Sequence, residues 1–372
     1  MSESPAFGPN VLGGGTGADY HPSPMRAVPI TAALQSAPIT RRLRSGWRRV
    51  PRTVRTLIIG SVWGGGVLAA LFFLSHELDP ATMAGTFRAV EWSWIAIAAA
   101  SYALALVASS VSWSIGLSAG GFAGVPFKHV AASHWIGHGV GAVLPGHVGE
   151  AARLLALRRH VAAGPGRGVR IAGSMAAQHV LDGMAIMLLV VGVSLAVPVP
   201  GILADLRWAG LGILILTPAS LLLARPGGLA RRLARRLPAR PRRLLSSFAT
   251  GAAVLMRREA LAAFAWQALA IGARFFALLS LVYAFAVAVP ISAALVVFAL
   301  LAFAAVVPAA PGGLGARQAA VVVPLATIYG VASEQALALS LGFQATLAAV
   351  ALTGGLVALV HQRFSRPVIR LV

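Results

Sequence analysis

The chain has 372 residues, of which 58% are hydrophobic and only 11% are charged, against about 25% charged residues in an ordinary soluble domain. This composition excludes a typical water-soluble enzyme, and the absence of cysteine excludes disulfides, thiol chemistry and cysteine-ligated metals. The formal net charge is +21, but the basic residues alternate with apolar runs of about 20 residues, the length that crosses a bilayer. The sequence therefore predicts a polytopic membrane protein, not a nucleic-acid-binding one.

The N-terminal segment differs in composition from the rest of the chain. Residues 1–40 are rich in Gly, Pro, Ser and Thr without apolar periodicity, so we predict a disordered tail. A cluster of arginines follows over 41–55, just before the first apolar run. That run begins too late to be a secretory signal. We therefore predict a membrane domain over 41–372.

Eight apolar stretches follow in chain order. Six of them predict spanning helices, at about 56–75, 92–117, 171–197, 208–224, 259–288 and 335–361. The other two, 129–160 and 291–330, are broken midway by Pro and Gly. Because proline ends a helix, each of these predicts two half-helices that meet at a bend. The predicted bends are at Pro145, Gly146 and Gly149, and at Pro311, Gly312, Gly313 and Gly315.

The distribution of basic residues predicts the orientation of the chain. If each broken stretch crosses an even number of times, as a re-entrant hairpin or as two short helices, the segments 1–55, 118–170, 225–258 and 362–372 share one side. These segments hold 27 of the 31 basic residues, as the positive-inside rule requires of the cytoplasmic side. We therefore predict cytoplasmic termini and a location in the cell inner (plasma) membrane. We expect the basic loop 225–258 to attract anionic lipid headgroups.

A weak internal repeat is visible at a shift of 166 residues. The shift places Pro145 on Pro311, Gly146 on Gly312, Gly149 on Gly315 and Gln178 on Gln344. The order of long helix, broken hairpin and long helix also occurs twice, over about 92–197 and 259–361, in opposite predicted directions. This is the inverted repeat that many secondary transporters contain. The predicted fold class is an all-α integral membrane protein with about six spanning helices and two re-entrant hairpins.

Glu150 and Arg153 follow the first bend at positions i and i+3, on one face of a helix. A carboxylate in the first turn after a break is stabilised by the helix dipole. The two residues form either a local ion pair or part of a site that handles substrate or protons, because charges within a membrane are functional by default.

Asp182, about a turn from Gln178 and His179, lies inside a predicted spanning helix, where an unpaired carboxylate costs roughly 3 kcal/mol. It should therefore find a partner, and Arg153 and Arg274 are the candidates. Arg274 itself lies inside the apolar run 259–288. A structural clamp between helices and a functional site are both consistent with this pattern.

Arg317 follows a Gly-rich turn that opens a predicted helix, so backbone N–H groups there could bind a phosphate or a carboxylate. The alternative is that Arg317 reaches the membrane surface from a structural bend. Gln178 and Gln344, which the repeat relates, are expected to face each other across the repeat axis. His134 and His138 have the i, i+4 spacing of metal ligands, but Trp135 stands where a zinc protease has Glu. We predict no metal and no cofactor.

The motifs around these residues resemble those of the lysylphosphatidylglycerol synthase transmembrane-region family, a family of flippase-like membrane domains. Residues 145–153 are similar to the family's Pro-Gly-x-x-Gly-Glu-x-x-Arg, and 311–318 are similar to Pro-Gly-Gly-x-Gly-x-x-Glu. Residues 178–182 stand where the family usually has Glu-Arg-x-x-Asp, and 343–344 stand where it has an aromatic residue followed by Arg. The resemblance covers about 55–362.

The resemblance implies a protein that handles membrane lipids. Glu150, Arg153 and Asp182 match the family pattern, whereas Gln178, His179, Gln318 and Gln344 replace charged residues. It further implies a non-enzymatic chain, since the aminoacyl-transferring domain of the full synthases is not expected here. The predicted function is to bind or translocate an amphipathic lipid, anionic or isoprenoid. The alternatives are a non-transporting accessory protein of envelope lipid synthesis and a proton-coupled small-solute transporter.

Overall fold

The computed structural model describes residues 85–144, 147–164, 166–196, 208, 210–212, 214–217, 238–304 and 315–364. These residues form helices joined by short connections, and no strand occurs among them. The predicted tail 1–40, the arginine cluster over 41–55 and the predicted helix 56–75 lie outside them. So do most of 208–224 and the first part of the basic loop 225–258.

Nine α-helices have both of their bounds within the described residues. They are α1 (Trp92–Leu117), α2 (Phe127–Val143), α3 (Val148–Arg158), α4 (Arg167–Ala196), α5 (Ala239–Gly251), α6 (Glu259–Ala284), α7 (Ile291–Ala304), α8 (Ala316–Thr327) and α9 (Ser333–Phe364). A π-helical turn, Ser118–Phe122, extends α1, and a 3-10 turn, Ala253–Met256, precedes α6.

Four of these helices are long and apolar enough to cross a membrane. They cover Trp92–Phe122, Arg167–Ala196, Glu259–Ala284 and Ser333–Arg363. They match four of the six predicted spanning helices to within a few residues, which confirms an all-helical membrane fold. The other two predicted spans fall wholly or mostly outside the described residues.

The two predicted broken stretches each contain two helices, α2 and α3 in the first and α7 and α8 in the second. Glycines allow α2 and α3 to approach closely. A Cβ atom added at Gly149 would lie 2.9 Å from the Cα of Gly141, and one added at Gly137 would lie 2.7 Å from the Cβ of Arg153. Residue 141 contacts residue 149, and residue 137, further back along α2, contacts residue 153, further on along α3. The helices α2 and α3 therefore run antiparallel, side by side.

Helices α1 and α6 pack against each other over most of their length. The Ser112 hydroxyl donates to the carbonyl of Ala263 at 2.8 Å, and near the other end the rings of Trp94 and Tyr283 lie 5.2 Å apart. Residues late in α1 contact residues early in α6, and residues early in α1 contact residues late in α6, so the two helices are antiparallel. Small side chains let helices approach closely where lipid removes the usual hydrophobic driving force. Four alanines supply this contact: Ala105, Ala108, Ala270 and Ala273.

Helix α9 packs on α2 through a second set of small residues. A Cβ added at Gly139 would lie 3.3 Å from the Cα of Gly355. The indole of Trp135 occupies the space that a side chain at Gly354 would need. Helices α2, α3 and α9 therefore form one packed group beside the α1–α6 pair.

A stacked pair of histidines joins the ends of these helices, outside the four long spans. His129 near the start of α2 and His160 after α3 have ring centroids 3.9 Å apart, with planes 13° from parallel. Burial, and then the charges of His160, Lys128 and His361, lower the pKa of His129. Burial also lowers the pKa of His160, and a hydrogen bond with Gln362 on α9 offsets part of this effect.

These lowered pKa values predict acid sensitivity. The unfolded chain binds protons more readily than the folded one, so the stability that the neutral pair provides is present above about pH 6.5 and is lost as the pH falls below it. We expect the melting temperature in detergent to fall between about pH 7 and pH 5, and to fall less in His160→Gln. His147→Gln controls for the removal of a histidine elsewhere. An equal fall in His160→Gln and in the wild type would contradict this prediction.

Candidate functional site

Helices α1, α3, α4 and α6 each place polar side chains in one network inside the bundle. This polar network consists of Ser109 on α1, Glu150 and Arg153 on α3, Gln178, His179 and Asp182 on α4, and Gln267 and Arg274 on α6. Buried polar groups are costly unless they bond to one another. The packing of four helices around such a network therefore fixes the side chains in defined positions.

Arg153 lies at the centre of the polar network and is only 3% exposed. It donates a hydrogen bond to the side-chain oxygen of Gln178, and its guanidinium lies 3.8 Å from the Glu150 carboxylate. The guanidinium carbon also lies 3.7 Å from the centre of the Trp113 ring, a cation–π arrangement. The predicted local ion pair of Glu150 and Arg153 is therefore present, and it is tied to the neighbouring helices.

The amides of Gln178 and Gln267 connect α4 and α6 to α1. Gln178 donates to the Ser109 carbonyl at 2.9 Å and to the side-chain oxygen of Gln267 at 3.4 Å. Gln267 donates in turn to the Ser109 hydroxyl at 3.3 Å and to the Asp182 carboxylate. Ser109 and Gln267 were not predicted as site residues. Gln267 carries a detectable signal, because it is a polar residue inside an apolar run and lies seven positions from Arg274 on the same helix.

Asp182 forms an ion pair with Arg274. Their closest atoms are 3.6 Å apart, and Arg274 also donates to the Ser109 hydroxyl at 3.0 Å. Of the two partners proposed for Asp182 from the sequence, Arg274 makes the direct contact, while Arg153 pairs with Glu150. The guanidinium of Arg274 is thus engaged by the network, and Arg274 does not belong to the described lining of the cavity below.

His179 lies between two carboxylates from different helices. Its Nε2 is 3.7 Å from Glu150 on α3, and its Nδ1 is 3.8 Å from Asp182 on α4. The side chain is 58% exposed. The histidine therefore connects the Glu150–Arg153 pair to the Asp182–Arg274 pair, a role that its sequence position did not reveal.

A cavity of about 410 Å³ lies beside the polar network, between the α2–α3 pair and α9. The glycine face of α2 and α3 forms one wall, and small residues of α9 such as Ala348 and Ala351 form another. The polar part of the lining comes from Tyr102, His138, His147, Glu150, Arg153, Arg317 and Gln344. Four of the predicted site residues, Glu150, Arg153, Arg317 and Gln344, thus meet at one cavity.

Two hydrogen-bond donors of the cavity lining have no partner among the described residues. They are the Nε of Arg153 and the Nε2 of Gln344. Buried donors normally find an acceptor, because an unmade hydrogen bond costs about 1–3 kcal/mol. These two groups therefore favour a ligand that supplies acceptor atoms.

The predicted anion site at the Gly-rich turn before Arg317 is described only in part. Gly315 has a positive φ of 87°, and α8 begins directly after it. Its N–H donates to the side-chain oxygen of Gln318 at 2.6 Å, so this backbone donor is already occupied. Of the predicted bend residues, Gly149 and Gly315 are described, whereas Pro145, Gly146, Pro311, Gly312 and Gly313 lie outside the described residues.

The described residues contain no group of three or more His, Asp or Glu side chains that could hold a metal ion. The imidazoles of His134 and His138, with ring centroids 4.6 Å apart, lie instead near Trp113 and Arg153. Tyr102 and His147 are cavity residues that the sequence did not single out as binding groups, and His138 was considered only as a metal ligand. The sequence alone does not distinguish an aromatic residue that lines a cavity, such as Tyr102, from one that only packs in an apolar helix.

Long apolar helices that surround partly buried ion pairs and a lined cavity define a polytopic membrane protein. The family model described as the lysylphosphatidylglycerol synthase TM region matches residues 54–355, well over half of the chain. The chain therefore belongs to the lysylphosphatidylglycerol synthase transmembrane-region family, which confirms the resemblance found in its motifs. No curated protein matches the chain.

Proposed function

We propose that this protein is a flippase-like membrane protein that binds, or moves across the bilayer, an amphipathic lipid with an anionic headgroup. The observation that carries the proposal is the cavity, which combines the guanidinium groups of Arg153 and Arg317 and the Gln344 amide with a wall of glycine, alanine and leucine. The Arg153 Nε and the Gln344 Nε2 find no hydrogen-bond partner among the described residues. The polar end suits a phosphate group, because guanidinium groups bind phosphate through charge-assisted hydrogen bonds. The apolar wall suits the adjoining part of a lipid chain.

The membrane topology is part of the same proposal. The α2–α3 and α7–α8 pairs are re-entrant hairpins of two inverted repeats, about 92–197 and 259–361, with both termini in the cytoplasm and the chain in the plasma membrane. The antiparallel course of α1 and α6 supports this arrangement, since they are the first helices of the two repeats. The protein acts by binding and not by catalysis.

Vesicles test this function directly. The purified protein is reconstituted with NBD-labelled phosphatidylglycerol, and dithionite quenching measures how fast the lipid changes leaflet. We expect the wild type to accelerate this movement and Arg317→Gln to slow it about tenfold, the effect of losing a charge-assisted hydrogen bond of about 1.5 kcal/mol.

Arg242→Gln is the matched control, since Arg242 is exposed on α5, away from the cavity lining. It should leave the rate unchanged. Lipid movement that is equal in protein-free and protein-containing vesicles would contradict the proposal, and so would equal rates in Arg317→Gln and the wild type.

An accessory protein recruited to lipid enzymes through its basic loops is the second candidate function. Helix α5 favours it, because Arg242 and Arg243 are exposed together with Leu244 and Leu245. A basic helix with exposed apolar residues is suited to the membrane interface. This candidate predicts no lipid movement in vesicles, and it predicts weaker attachment of α5 to anionic bilayers when both arginines are replaced.

A further inference from the structure

The charges of the polar network balance without His179. Glu150 and Asp182 carry two negative charges, and Arg153 and Arg274 carry two positive charges, in pairs separated by 3.8 Å and 3.6 Å. His179 contacts both carboxylates. Its protonation therefore changes the network from neutral to singly positive, directly behind the Glu150 and Arg153 side chains that line the cavity.

We propose that the proton on His179 sets the charge of the cavity wall, and thereby the affinity of the cavity for a phosphate-bearing headgroup. This inference rests on the proposed lipid-binding function and adds its regulation. Histidine suits the role because its charge changes between about pH 5 and pH 8. When His179 is charged, it also gives Glu150 a second positive partner beside Arg153, which weakens the repulsion between the Glu150 carboxylate and an anion in the cavity.

Other charged and titratable groups face the same region, and their effects on binding have to be distinguished from that of His179. Arg153 and Glu150 approach it from α3, Asp182 lies one turn away on α4, and Arg274 stands behind Asp182 on α6. From α2, His134 and His138 lie close enough to interact with its charge. His147 and Arg317 complete the charged part of the cavity lining.

Substitutions that fix the charge at position 179 test the proposal. The protein is placed in nanodiscs, and its affinity for NBD-labelled phosphatidylglycerol is measured at about pH 5.5 and about pH 8, on the two sides of the histidine range. One unit charge near the headgroup should make the wild type bind about fivefold more tightly at the lower pH. His179→Arg should retain the tighter affinity at both pH values, and His179→Gln the weaker one.

Because His179 is exposed, both variants should fold as the wild type does. His160→Gln, remote from the polar network, is the matched control and should keep the wild-type pH dependence of binding. NBD-labelled phosphatidylcholine, which carries no net charge, should show less pH dependence. Competition by soluble glycerol phosphate distinguishes recognition of the phosphate group alone from recognition of the whole lipid.

The outcomes separate this inference from the function on which it rests. Wild-type pH dependence in both His179 variants overturns the inference while the lipid-binding function stands. Absence of binding to either lipid at both pH values counts against the proposed function, and the inference falls with it.

Discussion

Arg153→Met is expected to abolish lipid movement and to lower the free energy of unfolding by about 2–3 kcal/mol. Methionine keeps much of the side-chain volume but removes the ion pair with Glu150, the hydrogen bond to Gln178 and the stacking on Trp113. Removal of the Arg153 guanidinium leaves the Glu150 carboxylate without this counter-charge. The cost is below that of a fully buried pair because the Glu150 side chain is 36% exposed.

Unfolding in detergent and lipid movement in vesicles measure the two effects. Arg158→Met, at an exposed arginine of the same helix, is the matched control and should change neither. The double variant Arg153→Met with Glu150→Gln separates structure from function, because it removes the unpaired carboxylate. It should recover part of the stability and none of the lipid movement. Wild-type lipid movement in Arg153→Met would show that the buried guanidinium has only a structural role.

Gly149→Leu is expected to have the second large effect, by separating α3 from α2. Even its Cβ would lie 2.9 Å from the Cα of Gly141 and 3.0 Å from the nitrogen of that residue. Both atoms belong to backbone, so α3 itself has to move. Overpacking of this kind costs about 1–3 kcal/mol. The displacement also moves Glu150 and Arg153, and the new side chain enters the cavity, so lipid movement should fall to the level of protein-free vesicles.

Gly192→Leu is the matched control, because a Cβ at Gly192 on α4 meets no atom within 4 Å. It should leave unfolding and lipid movement close to wild type. Gly149→Ala, with the Cβ alone, should give an intermediate loss. A Gly149→Leu protein that is as stable and as active as Gly192→Leu would contradict the close packing of α2 and α3.

The membrane class and the long helices could be predicted from the sequence because both depend on composition over many residues. A run such as 92–117 has to be apolar throughout to lie in lipid, so its ends can be located in the sequence by the charged residues that flank it. The cost of a charge in lipid likewise identified Asp182 and predicted that it needs a partner. The sequence reduced the candidates to two arginines, and the structure identifies Arg274.

The remaining site depends on how helices are rotated and how closely they approach, which single residues do not encode. Ser109 joins the network through its carbonyl as well as its hydroxyl, and any residue has a carbonyl. The glycine face of α2 offered a partial signal, since Gly137 and Gly141 have the spacing of close helix contacts in membranes. Its partner Gly149 was noted only as a bend residue, because its contact forms after α3 folds back along α2.

The antiparallel contact of α1 and α6 determines which parts of the bundle can change position. The carbonyl of Ala284 accepts a hydrogen bond from the Glu91 N–H at 3.1 Å, and Ser112 bonds Ala263 toward the opposite end. Because α1 and α6 are hydrogen-bonded near both ends and packed through alanines in between, the two helices hold each other in a fixed relative position. Under the proposed function, any helix that changes position during lipid movement therefore moves relative to this pair. Because the chain has no native cysteine, paired spin labels on α1 and α9 would report that motion without background.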